Sequence, residues 1–248
     1  MKKLHMNKIL AIAEVKSKAF MGKNCIIMPV FALGFTLLMR FLYSRMPAEG
    51  DVASARFAYG LALGLVMNIG MTGIYCTALL LAEEKEKKTL RVLMTSSVNG
   101  LEFFIGSILP PFLVTAALNY VLIPLSGCAI GGAGLAVFTV VTLLSSLASC
   151  IIGMLLGIFT KDQVSAGTLI SPVLLILMFV PMFSSLFEPL EYISRFLFTG
   201  IIMDTAMKLV IEPDISVDML GLVVLALETV AAAALFVVFY RRNGYEKD

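Results

Sequence analysis

Six long apolar segments constrain this chain to one fold class. We predict spans at residues 25–43, 57–82, 101–126, 135–159, 168–187 and 219–240. A helix needs about 20 mainly apolar residues to cross the hydrocarbon core, and it satisfies its own backbone groups there. Charged residues make up 15% of the chain, against roughly 25% in soluble domains. The sequence therefore predicts an all-α integral membrane protein, with residues 1–248 forming a single transmembrane domain.

The densest run of charge lies between the second and third predicted spans, at residues 83–95. Such a run cannot lie in lipid, so it must sit in water at a membrane face. Leu90, Leu93 and Met94 recur at the spacing of one helix face. Glu84 and Lys88 are spaced to form an i,i+4 pair. The pattern predicts a short amphipathic helix, and a solvated loop that only joins two spans is the alternative.

The basic residues indicate which side of the membrane each loop occupies. Six spans place both termini, the loop at residues 83–100 and the loop at residues 160–167 on the same side. Fourteen of the nineteen lysines and arginines then lie on that side, as is typical of a cytoplasmic face. We therefore predict a multi-pass protein of the cell membrane with both termini in the cytoplasm.

The segments before the first and last spans are too polar to cross the membrane. Residues 1–24 are basic, which favours an amphipathic helix at the inner interface. Four apolar residues of this stretch fall near one helical face: Ile9, Ile12, Ala13 and Phe20. The n-region of a signal peptide is the alternative, although no small-x-small cleavage site follows. Residues 188–218 are acidic and predict one or two short helices at the outer face, either on the membrane or dipping into it.

Glu228 is the acidic residue that falls in the middle of a predicted span. A carboxylate at mid-bilayer is unfavourable by about 2.5–3.5 kcal/mol on insertion scales, so it should face the bundle interior or a wet cavity. Asn68, Asn119 and Tyr75 are candidate partners from other spans. Two interpretations stay open: Glu228 is a contact in a transport pathway or bundle interior, or it is a packing residue whose hydrogen bonds are satisfied.

The residues present argue against several chemistries. The one histidine, His5, excludes a His-pair metal site and a Ser-His-Asp triad within the chain. No G-x-x-x-x-G-K-S/T phosphate loop occurs, so the chain does not bind ATP by that device. The four cysteines lack metal-ligand spacing and are interpreted as packing residues. A net charge of +2 does not indicate nucleic acid. We expect no catalytic residue, no metal and no nucleic-acid partner.

The stretch between the second and third spans resembles the permease subunits of type-2 ABC transporters. Their pattern at this place is close to E-x-E-x-G-T-L-E-x-L-x-x-T-P-x-S-x-x-E-x-x-x-G-K. The matching residues are Glu84, Glu86, Thr89, Leu90, Leu93, Glu102 and Gly106. The departures are Lys88 for glycine, Arg91 for glutamate, Ser97 for proline and Ser107 for lysine. The amphipathic start also resembles the family's elbow helix, and the acidic segment from Phe187 resembles its outer segment before the last span.

The resemblance implies a membrane-spanning permease subunit of an ABC exporter. A separate ATPase, which binds ATP and Mg, would grip the inner helix as a coupling helix. Two permease chains, identical or different, would form the pathway for a drug, an antimicrobial peptide or another amphiphile. The residues implied in ATPase coupling are Glu83, Glu84, Glu86, Lys87, Lys88, Thr89, Leu90, Leu93 and Met94. No cofactor is expected in this chain itself.

Three other functions stay open at this point. A secondary transporter or channel would need ionisable residues deep in several spans, and only Glu228 meets that requirement. An intramembrane enzyme would need a catalytic set that the chain lacks. A membrane scaffold would need none of these features.

Overall fold

The computed structural model describes residues 5–47, 51–89, 100–211 and 218–243. Every regular element in these ranges is helical. The α-helices of the described residues are α1 (Met6–Phe20), α2 (Lys23–Arg45), α3 (Asp51–Asn68), α4 (Cys76–Glu86), α5 (Gly100–Ser126), α6 (Gly132–Ile158), α7 (Gln163–Met182), α8 (Glu188–Ser194), α9 (Phe198–Ile211) and α10 (Met219–Asn243). A π-helical segment, Ile69–Tyr75, joins α3 to α4.

Six stretches of the described residues are long and apolar enough to cross a membrane. They are Cys25–Arg45, Val52–Glu86, Gly100–Ser126, Gly132–Ile158, Gln163–Met182 and Met219–Tyr240. The second stretch is a continuous run of α3, the π-helical segment and α4. The predicted all-α fold with six membrane-spanning helices is thereby confirmed.

Local hydrogen bonds set the start of α7, which is earlier than the fifth predicted span. Asp162 is the N-cap residue: its Oδ1 accepts a 2.7 Å hydrogen bond from the Ser165 N–H. The Ser165 hydroxyl oxygen accepts from the Asp162 N–H at 3.0 Å, which completes a capping box. These hydrogen bonds from Ser165 hold the pKa of the Asp162 carboxyl below its usual value. The helix therefore begins at Gln163 rather than at residue 168.

The second span lies at the centre of the bundle. In its most apolar window 83% of the residues are buried, against 17% in α10. The α3 half packs against α2, α5 and α9, and the α4 half packs against α6 and α7. The second span therefore contacts most of the other helices directly.

Two short helices, α8 and α9, precede the last span, as the sequence predicted. Helix α9 packs against α3 and α6. Most of its residues are buried, including Phe198, Ile202 and Ala206. It therefore belongs to the bundle and does not lie on its surface.

Candidate functional site

The charged stretch begins as the last turn of α4, so it is part of the second span. The N–H groups of Lys87 and Lys88 donate to the carbonyls of Glu83 and Lys85, which closes the helix. Lys88 then adopts a φ of 56°, in the left-handed region that glycine favours. The type-2 permease pattern has glycine at this position. The glycine of the pattern therefore corresponds to the end of a helix in this fold.

The predicted pairing of Glu84 with Lys88 is wrong. Lys88 lies beyond the end of α4, where i,i+4 spacing no longer places two side chains side by side. Within the last turn Lys87 pairs with Glu83 instead. Glu84 pairs with Lys16 of α1, with 2.8 Å between Oε1 and Nζ.

The remainder of the predicted coupling helix lies largely outside the described residues, which stop at Thr89 and resume at Gly100. This applies to Leu90, Leu93 and Met94. Thr89 itself is exposed, and its hydroxyl donates to the backbone carbonyl of Glu84 at 3.3 Å.

Three consecutive side chains at the end of α4 contact three other parts of the fold. Glu84 binds α1, Lys85 donates to two carbonyls at the end of α6, and Glu86 accepts from the first N–H of α7 at 3.2 Å. The partner groups are Lys16 Nζ, Ile158 O, Thr160 O and the Gln163 N–H. A cation at a helix C-terminus and an anion at a helix N-terminus both suit the helix dipole. The end of the second span therefore fixes α1, α6 and α7 together.

Lys16 is a site residue that the sequence analysis missed. It lies on the buried face of α1 with Ile12 and Phe20, and its side chain is only 2% exposed. Its Nζ also lies 5.4 Å from the ring centre of Phe103 on α5, a cation–π contact. Burial lowers the pKa of Lys16, while the charge of Glu84 opposes that shift. The available signal was a lysine at helical spacing inside an apolar stripe.

The start of α1 is fixed on α5 by a second carboxylate. Glu102 is 1% exposed, and its Oε1 accepts a 2.8 Å hydrogen bond from the backbone N–H of His5. The His5 ring Nδ1 lies 3.2 Å from the same oxygen. Between these contacts the two helices approach closely, because a Cβ on Gly106 would lie 2.8 Å from the Cβ of Ile12. Helix α1 therefore connects the last turn of α4 to the first turn of α5.

Asn68 and Asn119 form a buried polar chain inside the bundle. Asn68 Nδ2 donates to Asn119 Oδ1 at 2.8 Å and to the carbonyl of Thr115 at 2.9 Å. Asn119 Nδ2 donates to Ser146 Oγ at 3.0 Å. Hydrogen bonds of this kind hold membrane helices together, and here they join α3, α5 and α6. Asn68 also directly precedes the π-helical segment, a feature found frequently at functional sites.

Residues 41–239 match the model of a family described as ABC-2 family transporter protein. This chain belongs to the ABC-2 transporter family. The match begins near the end of α2 and ends within α10, so it includes the second span, the π-helical segment and both asparagines. A search of the curated proteins found no match.

Membership of the ABC-2 family identifies the general role of the chain. The chain is a multi-pass membrane protein and the membrane subunit of an ABC transporter. Helix α1 lies before the matched range. The family match therefore does not test the prediction that α1 is an elbow helix.

Tyr75 lies in a different part of this ABC-2 subunit from the asparagine pair. It is the last residue of the π-helical segment and lines a cavity of about 570 Å³ between α2, α4 and α7. The other lining residues are Ile27, Met28, Leu79, Gln163, Val164, Gly167, Thr168 and Ser171. The walls of the cavity combine hydroxyl groups with apolar side chains, a lining typical of small-molecule sites.

Glu228 is partly buried on α10 and contacts the start of α9. The backbone of Phe198 hydrogen-bonds to its carboxylate, which places an anion at a helix N-terminus. Its Oε2 is buried without a hydrogen-bond partner among the described residues. The predicted partners are wrong, because Asn68 and Asn119 bond to each other, to α5 and to α6, and Tyr75 lines the separate cavity. Glu228 therefore connects the last span to α9.

Proposed function

We propose that this chain is the membrane-spanning permease subunit of an ABC exporter. A separate ATPase, which binds ATP and Mg, docks where α1, the end of α4 and the loop between α6 and α7 meet. Its motion drives cargo across the membrane. This chain contributes no catalytic group or cofactor. The docking face and both termini are cytoplasmic, a placement that the distribution of lysine and arginine supports.

The observation that carries this proposal is the set of contacts at the end of α4. An ATPase can drive transport only if its motion reaches the spans, and this turn contacts α1, α6 and α7. Glu84, Lys85 and Glu86 are engaged inside the chain. Docking therefore depends on their exposed neighbours Lys87 and Lys88 and on the residues that follow.

The cavity lined by Tyr75 supports an amphiphilic cargo such as a drug or an antimicrobial peptide. It adjoins the π-helical segment and the start of α7, and Glu86 binds the N–H of Gln163, the first residue of α7. A displacement of the end of α4 would therefore change the shape of this cavity. That geometry links the docking face to the proposed cargo route.

A second permease chain, identical or related, fits the outer surface of the bundle. Only 22% of the residues are buried in the most apolar window of the first span and 28% in that of the fifth. These helices flank the cavity lined by Tyr75. A second chain packed across α2 and α7 would separate that cavity from lipid.

A secondary transporter or channel remains the alternative, and it would use Glu228. Such a protein needs ionisable groups at several depths. The buried chain that joins α3, α5 and α6 consists of neutral side chains, and Glu228 interacts with the start of α9. These contacts favour the ABC permease.

Charge reversal beside α4 tests the docking face. Lys87→Glu combined with Lys88→Glu leaves the contacts of Glu84, Lys85 and Glu86 in place. Because exposed charges govern docking rate and partner choice, we expect the tagged double variant to insert and to capture roughly tenfold less ABC ATPase from native membranes. Arg195→Glu combined with Lys208→Glu is the matched control, since it also reverses two exposed charges and both residues lie outside the proposed docking face. Undiminished capture by the double variant would remove this face from the proposal.

A further inference from the structure

Helix α1 contacts both ends of the segment on which the proposed ATPase would act. Residues 90–99 connect the last turn of α4 to the first turn of α5. Glu84 in the α4 turn pairs with Lys16. Glu102 in the α5 turn accepts the hydrogen bond of His5. One short helix therefore joins the two turns that flank the segment.

We infer that α1 is a brace that fixes the end of α4 relative to the start of α5, with Lys16 as its main positioning residue. The importance of this brace for coupling rests on the proposed function, whereas its geometry does not. A force applied to residues 90–99 would move α4 and α5 as one unit. Without the brace, part of the same displacement would only separate the two helices.

The burial of the contacts makes the brace stiff. The side chains of Lys16 and Glu84 are 2% and 13% exposed, and Glu102 is 1% exposed. Water cannot readily replace either partner at such a site, and an ammonium left there without its carboxylate would be strongly unfavourable. Lys16 therefore stays paired while the surrounding helices move.

Close packing between the two contacts prevents α1 from sliding along α5. A Cβ on Gly106 would come within 2.8 Å of the Ile12 side chain and 2.9 Å of the Ile9 carbonyl. The ring of Phe103 lies beneath Lys16 Nζ. The ionic contacts and the packing therefore fix α1 along its length.

The same helix carries a matched control. Glu14 and Lys18 form an i,i+4 pair with side chains 69% and 76% exposed. This pair stays within α1 and connects no other helix. Removing this pair should leave the distance between the end of α4 and the start of α5 unchanged.

Spin labels at Lys87→Cys and Leu101→Cys can report the separation of the two turns. Both positions are exposed, at 62% and 51%. The full-length chain, with its four native cysteines replaced, is measured by pulsed electron paramagnetic resonance in lipid nanodiscs. We expect a narrow distance distribution with Lys16 in place and a roughly twofold broader one in Lys16→Met. Lys18→Met should stay narrow.

The charge swap Lys16→Glu with Glu84→Lys rebuilds the pair in reverse and should restore the narrow distribution. A narrow distribution in Lys16→Met would overturn the brace. If Lys16→Met does not insert, Lys16→Met combined with Glu84→Leu takes its place, because removing both partners of the pair leaves no carboxylate buried without a cation. A narrow distribution in that double variant is equally contradictory. This measurement needs no ATPase, so the brace can fail while ATPase capture succeeds, or the reverse.

Discussion

Two lysines on α1 form ion pairs of equal length in opposite environments. Lys16 Nζ lies 2.8 Å from Glu84, and Lys18 Nζ lies 2.8 Å from Glu14. The first pair has side chains 2% and 13% exposed, and the second has side chains 76% and 69% exposed. The distance alone would rank the two pairs as equal. Burial separates them, because water and salt screen only the second pair.

The difference shows which charges in this chain specify tertiary structure. The exposed pair connects two residues of one helix turn, and water can replace either partner. The buried pair connects α1 to the second span, which lies at the centre of the bundle. Water cannot take the place of the carboxylate beside a buried ammonium. The buried pair therefore forms only when the fold brings Lys16 and Glu84 together.

The largest expected effect comes from breaking the buried pair. Lys16→Met keeps most of the side-chain volume but leaves the Glu84 carboxylate buried without a cation. We expect the free energy of unfolding to fall by about 3–5 kcal/mol, the usual range for such a loss. Equilibrium unfolding in detergent measures it. Lys18→Met should have the same free energy of unfolding as the unmodified chain. Equal stability of Lys16→Met and Lys18→Met would show that burial does not make the first pair more important than the second.

A buried neutral contact should have an intermediate effect. Asn119→Leu has a similar volume but removes two buried hydrogen bonds: the one that Asn119 Oδ1 accepts from Asn68 Nδ2 and the one that Asn119 Nδ2 donates to Ser146 Oγ. We expect a loss of about 1–3 kcal/mol in the free energy of unfolding. The control is Tyr120→Phe, which removes an exposed 2.9 Å hydrogen bond to Thr139 and should have no measurable effect. A larger loss in Tyr120→Phe than in Asn119→Leu would show that burial is not the deciding variable.

The smallest effect concerns an exposed lysine whose backbone matters more than its charge. Lys88 has a φ of 56°, which a Cβ disfavours. Lys88→Gly should raise the free energy of unfolding by about 0.5–1 kcal/mol. Lys88→Ala keeps a Cβ and should give no gain. An equal gain in both variants would assign the effect to the lysine side chain.

The sequence predicted the six spans because the hydropathy of a span depends only on the residues within that segment. A charged run cannot lie in lipid, so the sequence predicted roughly where the second span ends. The predicted end at residue 82 falls before the observed end of α4 at Glu86, and the turn at Lys88 was not predicted. The partner of Glu84 was not visible, because Lys16 is far away along the chain and the i,i+4 rule favoured Lys88. That rule fails here since α4 ends before Lys88. The departure from the family's glycine at Lys88 was the one signal of this ending.

The sequence identified the unusual polar residues inside the spans, but the prediction that they contact one another through Glu228 was wrong. Composition gives Asn68, Asn119, Tyr75 and Glu228 the same status, because all four are polar groups in apolar segments. Which of them meet depends on helix packing and on the π-helical segment, which changes the direction of the side chains after Asn68. No local pattern in the sequence reports that change.

The central claim is that the end of α4 passes ATP-driven motion from the ATPase to the spans. Tyr75→Cys, in a chain without native cysteines, reports the shape of the cavity between α2, α4 and α7. In the complex with its ATPase, we expect the rate of labelling by a membrane-permeant maleimide to change when ATP and Mg are added. Lys16→Glu should abolish that change, and the swap with Glu84→Lys should restore it. An ATP response that is unaltered in Lys16→Glu, or a complete complex that gives none, would contradict the account.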